Sequence, residues 1–500
     1  MIGAGLQEHA GRNNGKPAIV CGNEMVKWRD LVPLVNQVSN WLDSNTPPRA
    51  RIGLVLPNSA ALPILMLAIA RSGRVGLVFD PAWPSRTAAR LAKDTDCALV
   101  ISTAHQAIKE RSSIVLDASA SVESLAMKAG GCLQHYAPTV DPSWPFYIGF
   151  TSGSTGQPKG YQRSHRSWTE SFAIEARVFG HRRSDIVAAP GSLSHSLFLY
   201  AAMHALQIGA TIVLQTGFRP GNILNEALRH SATMLYAVPA QLQLLAKTAI
   251  GPSRDGFPSM RYIISSGSKW EPGNRQALRK MFAHARLAEF YGASELSFVS
   301  VAHDGTNVPA GSVGKPFPGV DVRISDSAGN WLAAMETGEI FVSSPMLFDG
   351  YVTGAAGDGA TIVEKHMSVG DMGWLDYDGY LWLAGRKDRM IVSAGKNLFP
   401  EEVEAVLRAI EDIQEAAIVA LPDEKRGARI TAAVQLAGDG DRRTGPAVAS
   451  LIAALREHLP LYKIPRQYYR VVDWPRTRSG KTDFVELRNQ VVAGQLEQLT

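Results

Sequence analysis

Residues 151–160, Thr-Ser-Gly-Ser-Thr-Gly-Gln-Pro-Lys-Gly, have the composition of a loop that binds phosphates. Glycines let the backbone approach an anion closely, hydroxyls add hydrogen bonds, and the ammonium group of Lys159 supplies positive charge. The spacing differs from that of the common nucleotide-binding loop, because no Ser or Thr follows Lys159. A flexible surface turn is the alternative interpretation. The candidate phosphate-binding residues are Thr151, Ser152, Gly153, Ser154, Thr155, Gly156 and Lys159.

The residues before this loop predict the strand that positions it. Residues 145–150 form an apolar run bounded by proline and glycine, which is typical of a buried strand. From Trp28 to about residue 265, short apolar strands alternate with helical segments, which predicts a parallel sheet with crossover helices. From Gly311 short strands with turns predict a small β-barrel-like subdomain, and after Arg386 helices and strands are mixed again. The predicted fold class is therefore α/β.

Five further patterns follow the loop in chain order. They are Tyr-Gly-Ala-Ser-Glu at 291–295, Gly-Asp at 370–371, Gly-Arg-Lys-Asp-Arg-Met-Ile at 385–391, Ser-Ala-Gly-Lys at 393–396 and Pro-Arg-Thr-Arg-Ser-Gly-Lys at 475–481. Together with the loop they resemble, in the same order, the motifs of the adenylate-forming superfamily. That superfamily includes acyl-CoA synthetases, peptide-synthetase adenylation domains and luciferases.

The resemblance covers essentially the whole chain and implies its domain organisation. It implies a large N-terminal AMP-binding domain, residues 1–386, built of parallel-rich α/β subdomains and the small β-barrel-like subdomain. Residues 387–388 would be a hinge, with Asp388 as its pivot, and residues 389–500 a small mobile α+β domain.

The resemblance also implies a site for ATP and Mg²⁺. The loop would bind the β- and γ-phosphates, Ser294 would contact the α-phosphate, and Glu295 would coordinate Mg²⁺. Ser266-Gly267-Ser268 differs from the more common Gly-Gly-Ala of the adenine site, and Val369 stands where threonine is usual. The other implied nucleotide contacts are Gly267, Ser268, Tyr291, Gly292, Asp371 and Arg386.

By the resemblance, the mobile C-terminal domain would serve both half-reactions, adenylation and transfer to CoA. By the resemblance, Lys481 bridges the attacking carboxylate and the α-phosphate during adenylation. Rotation at Asp388 would withdraw Lys481 and bring residues 393–396 to the adenylate, with Gly395 and Lys396 as the implied CoA contacts.

The resemblance implies an acyl pocket formed by His195, Val238, Ser266 and Gly292. His195 would also be a catalytic candidate, which gates the acyl tunnel or polarises the substrate carboxylate. Amino-acid-activating relatives place an aspartate near the position of His195, and residues 191–200 contain none. This argues against an α-amino acid and predicts a fatty, branched or aromatic acid. A structural histidine is the alternative interpretation of His195.

Composition places the chain among globular enzymes. A chain of 500 residues is too long for a single hydrophobic core, so at least two domains are expected. The net charge is +5 and there is no dense block of basic residues, which argues against nucleic acid as a partner. Cys21, Cys97 and Cys132 are odd in number and widely spaced, which fits a reducing compartment. The N-terminus lacks signal-peptide features, and the apolar run at 60–70 is shorter than the ~20 residues that cross a bilayer. We expect a cytoplasmic monomer or homodimer without a membrane span.

The predicted function is ATP-dependent activation of a carboxylic acid to an acyl-adenylate, with release of pyrophosphate, followed by transfer to CoA. The first alternative hands the acyl group to the phosphopantetheine of an acyl-carrier protein. A luciferase-like oxygenase is a more distant alternative. From a different class, the chain could be a nucleotide-binding regulator without turnover, although both Glu295 and Lys481 are present.

Overall fold

The computed structural model describes residues 1–106, 108, 112–130, 140–152, 158–248, 256–267, 272–353, 360–393, 396–423, 427–437, 447–476 and 482–499. The α-helices of these ranges are α1 Leu6–Arg12, α2 Trp28–Asn45, α3 Ala61–Arg71, α4 Ser85–Asp94, α5 Val122–Ala129, α6 His165–Phe179, α7 Ser196–Ile208, α8 Pro220–Arg229, α9 Pro239–Lys247, α10 Pro272–Met281, α11 Pro400–Arg408, α12 Val448–His458 and α13 Phe484–Val492.

The strands before residue 310 are β1 Pro17–Cys21, β2 Glu24–Lys27, β3 Arg51–Val55, β4 Val75–Val78, β5 Cys97–Thr103, β6 Ser113–Leu116, β7 Pro145–Ser152, β8 Pro158–Ser164, β9 Ile186–Ala189, β10 Thr211–Leu214, β11 Met234–Ala237, β12 Tyr262–Ser265, β13 Arg286–Ala293 and β14 Ser297–His303. Those after it are β15 Lys315–Pro316, β16 Asp321–Ser325, β17 Gly338–Ser343, β18 Gly350–Tyr351, β19 Thr361–Val363, β20 His366–Ser368, β21 Asp371–Leu375, β22 Leu381–Arg386, β23 Ile391–Ser393, β24 Lys396–Leu398, β25 Ile413–Asp423, β26 Gly427–Leu436, β27 Gln467–Arg470 and β28 Glu497–Leu499.

A nine-stranded sheet of the described residues has the order β15-β14-β13-β12-β11-β9-β10-β1-β2. The strands from β13 to β1 in this order are parallel, and antiparallel strands complete both edges. All residues of β11 and β12 are buried, as expected for parallel strands covered on both faces. Apolar residues of this sheet form a core with α8, α9 and α10.

A second sheet positions the candidate phosphate loop. Its order over the described residues is β18-β8-β7-β4-β3-β5-β6. The strands from β7 to β6 are parallel, whereas β8 is antiparallel to both β7 and β18. The alternation of strands and helices predicted from the sequence is therefore confirmed in both sheets.

The chain divides into two compact units. The first comprises residues 1–322, 342–367 and 379–381, and the second comprises residues 323–341, 368–378 and 382–500. In the second unit β25 and β26 form a long antiparallel pair, β26 and β27 are parallel, and β27 and β28 are antiparallel. A core of buried residues joins this sheet to α11 and α12.

The mixed α/β fold class predicted from the sequence is confirmed. Short strands with turns follow residue 311 as expected, and within the second unit β17 pairs with β21 through Gly338 and Gly373. Lys387 and Asp388 belong to the second unit. Their role as a hinge between two domains stays a prediction.

Candidate active site

Four neighbouring parallel strands of the nine-stranded sheet end at one edge of it. β9, β11 and β12 end at Ala189, Ala237 and Ser265, and the register pairs Ala237 with Ser265. The residues that follow them include three of the predicted site segments. A Cβ built on Gly267, whose φ is +101°, would lie 3.8 Å from Cγ1 of Val238. Ligands of parallel α/β sheets usually bind at this carboxyl edge.

The fourth strand, β13, turns sharply at its end and carries the Tyr-Gly-Ala-Ser-Glu motif. The amide of Leu296 donates to the carbonyl of Ala293 at 3.1 Å, and β14 begins at Ser297, whose φ is +60°. A Cβ on Gly292 would lie 2.0 Å from the carbonyl oxygen of Ser297. The turn of residues 294–296 is therefore tight, and only glycine fits at position 292.

Ser294 lies in this turn beside the start of a helix. Its Oγ is 3.3 Å from Oγ of Ser196, the first residue of α7. His195, which is exposed, precedes the helix as its N-cap. The N-terminus of an α-helix carries a partial positive charge, so this end of α7 favours an anion near the Ser294 hydroxyl.

Glu295 follows Ser294 and is largely buried, with 7% of its surface exposed. The hydroxyl of Tyr351 donates to Oε1 of Glu295 at 2.7 Å, and the amide of Phe348 donates to its backbone carbonyl at 2.9 Å. Carboxylate oxygens are the ligands that Mg²⁺ prefers in proteins. Glu295 is therefore suited to hold Mg²⁺.

Residues at both ends of the predicted phosphate loop are paired strand residues. Thr151 pairs with Lys159 and Ser152 with Pro158, as the last pairs of the antiparallel strands β7 and β8. Gly160 lies next in β8, and its amide donates to Oγ1 of Thr353 at 2.7 Å. Residues 153–157, with the predicted contacts Gly153, Ser154, Thr155 and Gly156, lie outside the described residues.

Two tyrosines of β7 and β8 share the space that Gly149 leaves open. The hydroxyls of Tyr147 and Tyr161 are 3.2 Å apart, and both side chains are buried. A Cβ on Gly149 would lie 2.3 Å from each hydroxyl oxygen. Burial raises the pKa of the Tyr161 hydroxyl, and the nearby hydroxyls of Tyr147, Ser294 and Ser196 oppose that shift. The Tyr161 hydroxyl therefore lies close to the Ser294 hydroxyl.

In the second unit the predicted ribose contacts lie side by side. Nη1 of Arg386 is 3.1 Å from Oδ1 of Asp371, and Nε of Arg386 is 3.4 Å from Oδ1 of Asp388. Burial lowers the pKa of the Arg386 guanidinium, but the two carboxylates outweigh burial and the pKa is raised overall. Arg386 is therefore fixed next to Asp371, whose two carboxylate oxygens can accept hydrogen bonds from ribose hydroxyls.

A cluster of Glu175, His181 and His204 inside the first unit brings one oxygen and two ring nitrogens within 4.8 Å of one another. The carboxylate already accepts hydrogen bonds: Oε1 from the hydroxyl of Tyr236 at 2.5 Å, and Oε2 from Nδ1 of His204 at 2.8 Å. The outer ring nitrogens, Nε2 of His204 and Nδ1 of His181, have no partner among the described residues. Metal-binding histidines normally donate that second nitrogen to a partner, so this cluster suits a hydrogen-bond network better than a metal ion.

The sequence profile of AMP-binding enzymes matches residues 6–352, and the profile of the AMP-binding enzyme C-terminal domain matches residues 402–481. The chain belongs to the AMP-binding enzyme family. It is therefore a member of the adenylate-forming superfamily, as the motifs predict.

Relatives cover nearly all of this AMP-binding enzyme. The uncharacterized acyl–CoA ligase YhfT of Bacillus subtilis is 37% identical over 472 residues, which are 93% of each chain. VraA of Staphylococcus epidermidis, provisionally named a long-chain fatty acid–CoA ligase, is 29% identical over 89% of each chain. The o-succinylbenzoate CoA synthetase MenE of Bacillus subtilis, solved with an acyl-adenylate intermediate, has the same fold, with a TM-score of 0.84, 23% identity and 97% coverage of both chains.

Several of the predicted site residues lie in the C-terminal part of the AMP-binding enzyme or next to Gly267. Ser268, Gly395 and Lys481 lie outside the described residues, and Lys396 is described only as the first residue of β24. Arg476, which lies in the motif at residues 475–481, is ion-paired with Glu415. No helix in the described part of the chain is both long enough and apolar enough to cross a membrane.

Two site residues were missed by sequence reasoning. Tyr351 lies 56 positions from Glu295, and no spacing links them. Arg163 contacts the turn at residues 294–297 and is also absent from the motifs. Arg163 could have been found from its position in the strand that follows the phosphate loop. Alternate residues of a strand lie on the same face, so Arg163 lies on the same face as Lys159 and Tyr161.

Proposed function

We propose that this AMP-binding enzyme activates a carboxylic acid with ATP and transfers the acyl group to CoA. The observation that carries the proposal is the convergence of three distant segments in the first unit. β8, which starts at the phosphate loop, contacts the turn that carries Ser294 and Glu295 through Arg163. That turn also contacts the N-terminus of α7 through Ser196.

In the first step the carboxylate attacks the α-phosphorus and pyrophosphate leaves, so negative charge must be stabilised on the phosphates. Thr151 and Lys159 face each other in β7 and β8, next to the residues that would bind the β- and γ-phosphates. The Ser294 hydroxyl would donate to the α-phosphate, where preorganised donors stabilise the transition state. Glu295 would hold Mg²⁺, which neutralises phosphate charge when it is bound.

The hinge proposal rests on contacts on both sides of Asp388. On one side Nζ of Lys387 is 2.6 Å from Oε2 of Glu339. On the other side Arg389 binds α11, with Nη1 2.7 Å from Oε1 of Glu401 and Nη2 2.6 Å from Oε1 of Glu404. Because both neighbours are fixed by ion pairs, we propose that the backbone of Asp388 supplies the rotation between the two half-reactions.

The substrate that we propose is a fatty or aromatic acid. Val238, Ser266 and Gly292 are small or apolar and lie at the carboxyl edge of the sheet. Of these, Gly292 cannot be replaced by a residue with a side chain, because its Cβ would clash with the carbonyl oxygen of Ser297. Residues 191–200 contain no acidic side chain that could pair with a substrate ammonium group.

The deciding experiment measures products by mass spectrometry after incubation with ATP, Mg²⁺ and a panel of fatty and aromatic acids, with and without CoA. Acyl-CoA formed only when CoA is present supports the proposal and identifies the preferred acid. An acyl-adenylate that accumulates unchanged by CoA would transfer the assignment to carrier-protein loading. No acid-dependent use of ATP, in a protein that binds ATP, would favour the regulator.

Reciprocal variants test the two half-reactions. Lys481→Ala should lower adenylation by about 100-fold or more, since it removes a charge used in the transition state, and should leave thioester formation from supplied acyl-adenylate nearly unchanged. Asp388→Pro should retain adenylation and lose thioester formation, because proline restricts the backbone rotation. Both half-reactions are measured separately. Equal loss of both in either variant would contradict the assigned role.

A further inference from the structure

Arg163 is a buried arginine of β8, with 3% of its surface exposed, and its guanidinium makes four hydrogen bonds. Nη1 donates to the carbonyl of Ser294 at 2.9 Å, and Nη2 donates to Oγ of Ser297 at 2.7 Å. Nη2 also donates to the carbonyl of Met346 at 2.7 Å, and Nε donates to Oγ of Ser167 at 3.2 Å. Arg163 therefore binds the residue at the start of the turn and the residue just after it.

None of these four partners is a carboxylate. Over the described ranges, Arg163 forms no ion pair, although the charge of Asp349 acts on it from a greater distance. Burial of a charge is costly unless the charge is paired and hydrogen-bonded, and an apolar side chain of similar size is often as stable. Stability alone therefore does not account for an arginine at this position.

The turn that Arg163 binds is strained at Ser297. Its φ of +60° lies in the left-handed region, which residues with a side chain seldom adopt. The hairpin has a three-residue loop followed by a left-handed residue, a position at which glycine is usual. The hydrogen bond from Arg163 to Oγ of Ser297 offsets part of this strain.

Arg163 also links the turn to the phosphate loop. Lys159, Tyr161 and Arg163 are alternate residues of β8, so their side chains leave the same face of the strand. Arg163 donates to the Ser294 carbonyl, and the Tyr161 hydroxyl lies near the Ser294 hydroxyl. One strand thus carries Lys159, Tyr161 and the arginine that binds Ser294.

We propose that Arg163 is a positioning residue for adenylation, which maintains the strained turn at Ser297 so that Ser294 and Glu295 face the nucleotide and its Mg²⁺. The proposal rests on the proposed function. It predicts that loss of Arg163 lowers the adenylation rate and weakens the response to Mg²⁺, beyond any loss of stability.

The first test compares Arg163→Met with Arg71→Met. Arg71 is a matched control, since it is a buried arginine of the same unit, on α3, that donates to the carbonyl of Gly3 at 3.0 Å. R163M should lower the rate of acid-dependent ATP–pyrophosphate exchange by about 100-fold and raise the Mg²⁺ concentration that gives half the maximal rate. R71M should lose thermal stability but keep both constants. Equal effects of the two variants on exchange would overturn the proposal.

A second test uses Ser297, so that it does not depend on the folding of R163M. S297A keeps the strain and removes the hydroxyl that Arg163 binds, so exchange should slow by about 10-fold. S297G relieves the strain, because glycine adopts positive φ freely, so it should retain the rate and should restore part of the rate of R163M. A purely structural Arg163 predicts no rescue of the rate by S297G.

Titration calorimetry of ATP with and without Mg²⁺ separates this inference from the proposed function, because it needs no acid substrate. The wild-type protein should bind ATP more tightly with Mg²⁺, and R163M should lose most of that gain. A wild-type protein that does not bind ATP with Mg²⁺ would overturn the proposed function and this inference together. If the wild-type protein binds ATP with Mg²⁺ and R163M shows the same increase in ATP affinity on addition of Mg²⁺, this inference alone would be overturned.

Discussion

Glu175 and Glu295 are both buried in the first unit beside a tyrosine hydroxyl, yet they lie in different surroundings. Tyr236 donates to Oε1 of Glu175 at 2.5 Å, and Tyr351 donates to Oε1 of Glu295 at 2.7 Å. Glu175 has no exposed surface and lies among helices α6 and α7 and strand β11. Glu295 is 7% exposed and lies in a turn at the carboxyl edge of the sheet.

The two carboxylates also differ in how completely the protein surrounds them. The second oxygen of Glu175 accepts from Nδ1 of His204 at 2.8 Å and lies 3.7 Å from Nε2 of His181. Among the described residues, Tyr351 provides the one side-chain hydrogen bond to Glu295. A carboxylate whose oxygens are both satisfied inside the core serves the fold, whereas one held by a single donor at a sheet edge is suited to a ligand.

The largest expected effects come from one substitution at each glutamate, which should lower activity in one variant and stability in the other. Glu295→Gln should lower adenylation by about 100-fold or more, because it removes charge that would hold Mg²⁺, and should change the free energy of unfolding little. Glu175→Gln should lower the free energy of unfolding by about 1–3 kcal/mol, because an amide cannot accept the hydrogen bonds of both Tyr236 and His204 as the carboxylate does. Its rate per folded molecule should stay close to that of the wild-type protein.

Pyrophosphate exchange and denaturant unfolding of both variants give these values. Loss of activity without loss of stability in E175Q would remove the distinction between a carboxylate of the fold and a carboxylate of the site.

The second expected effect is on the pH dependence of stability. Burial lowers the pKa of His204 to about 4, below the ~6.5 of an unfolded histidine. Between these values the unfolded state binds the extra proton and the folded state does not, so stability falls as the pH falls from about 6.5 to 4. The slope for this group approaches ~1.4 kcal/mol per pH unit.

The pKa of Glu175 adds to this loss at lower pH. Burial raises its pKa, but His181 and His204 outweigh burial and lower it overall. The stability that this carboxylate contributes is therefore present above the unfolded value, ~4.3, and is lost as the pH falls below it. His204→Asn should flatten the slope of stability between pH 6.5 and 4 in denaturant unfolding, with the profile of adenylation rate against pH unchanged. An unaltered slope would contradict the assignment to His204.

The smallest expected effect comes from the two tyrosines. Tyr351→Phe should raise the Mg²⁺ concentration needed for adenylation by about 10-fold, because partners of metal-binding carboxylates tune metal affinity. Tyr236→Phe should instead lower the free energy of unfolding by about 1–3 kcal/mol, since it leaves a buried carboxylate oxygen without its donor. A Mg²⁺ titration and an unfolding curve are measured for each variant. A higher Mg²⁺ requirement in Y236F together with a lower stability in Y351F would refute the comparison.

The sequence predicts the fold well because its patterns are local. The apolar runs of β11 and β12 predict buried strands, and the motif at residues 291–295 identifies Ser294 and Glu295 directly. The ends of the two strands beside the phosphate loop were less predictable, since Thr151 and Lys159 have loop composition and yet pair as strand residues.

Contacts that depend on strand register could not be predicted. Tyr351 reaches Glu295 because β18 pairs with β8 and sets Tyr351 opposite Tyr161. A shift of one residue in that pairing would direct Tyr351 to the other face of the sheet. Arg163 likewise meets Ser297 only through the packing of segments 134 residues apart. Such contacts are fixed by tertiary structure and leave no local pattern in the chain.

Gly149 and Tyr161 lie directly opposite each other in β7 and β8, and the tyrosine hydroxyl occupies the place of the missing side chain. Because the Tyr147 hydroxyl lies equally close, position 149 can gain a side chain only after both tyrosines have become shorter. Among homologues, a residue larger than glycine at position 149 should therefore occur together with residues shorter than tyrosine at positions 147 and 161. A lineage that acquires such a residue has to lose the Tyr161 phenol first, which leaves the Ser294 hydroxyl without that phenol near it.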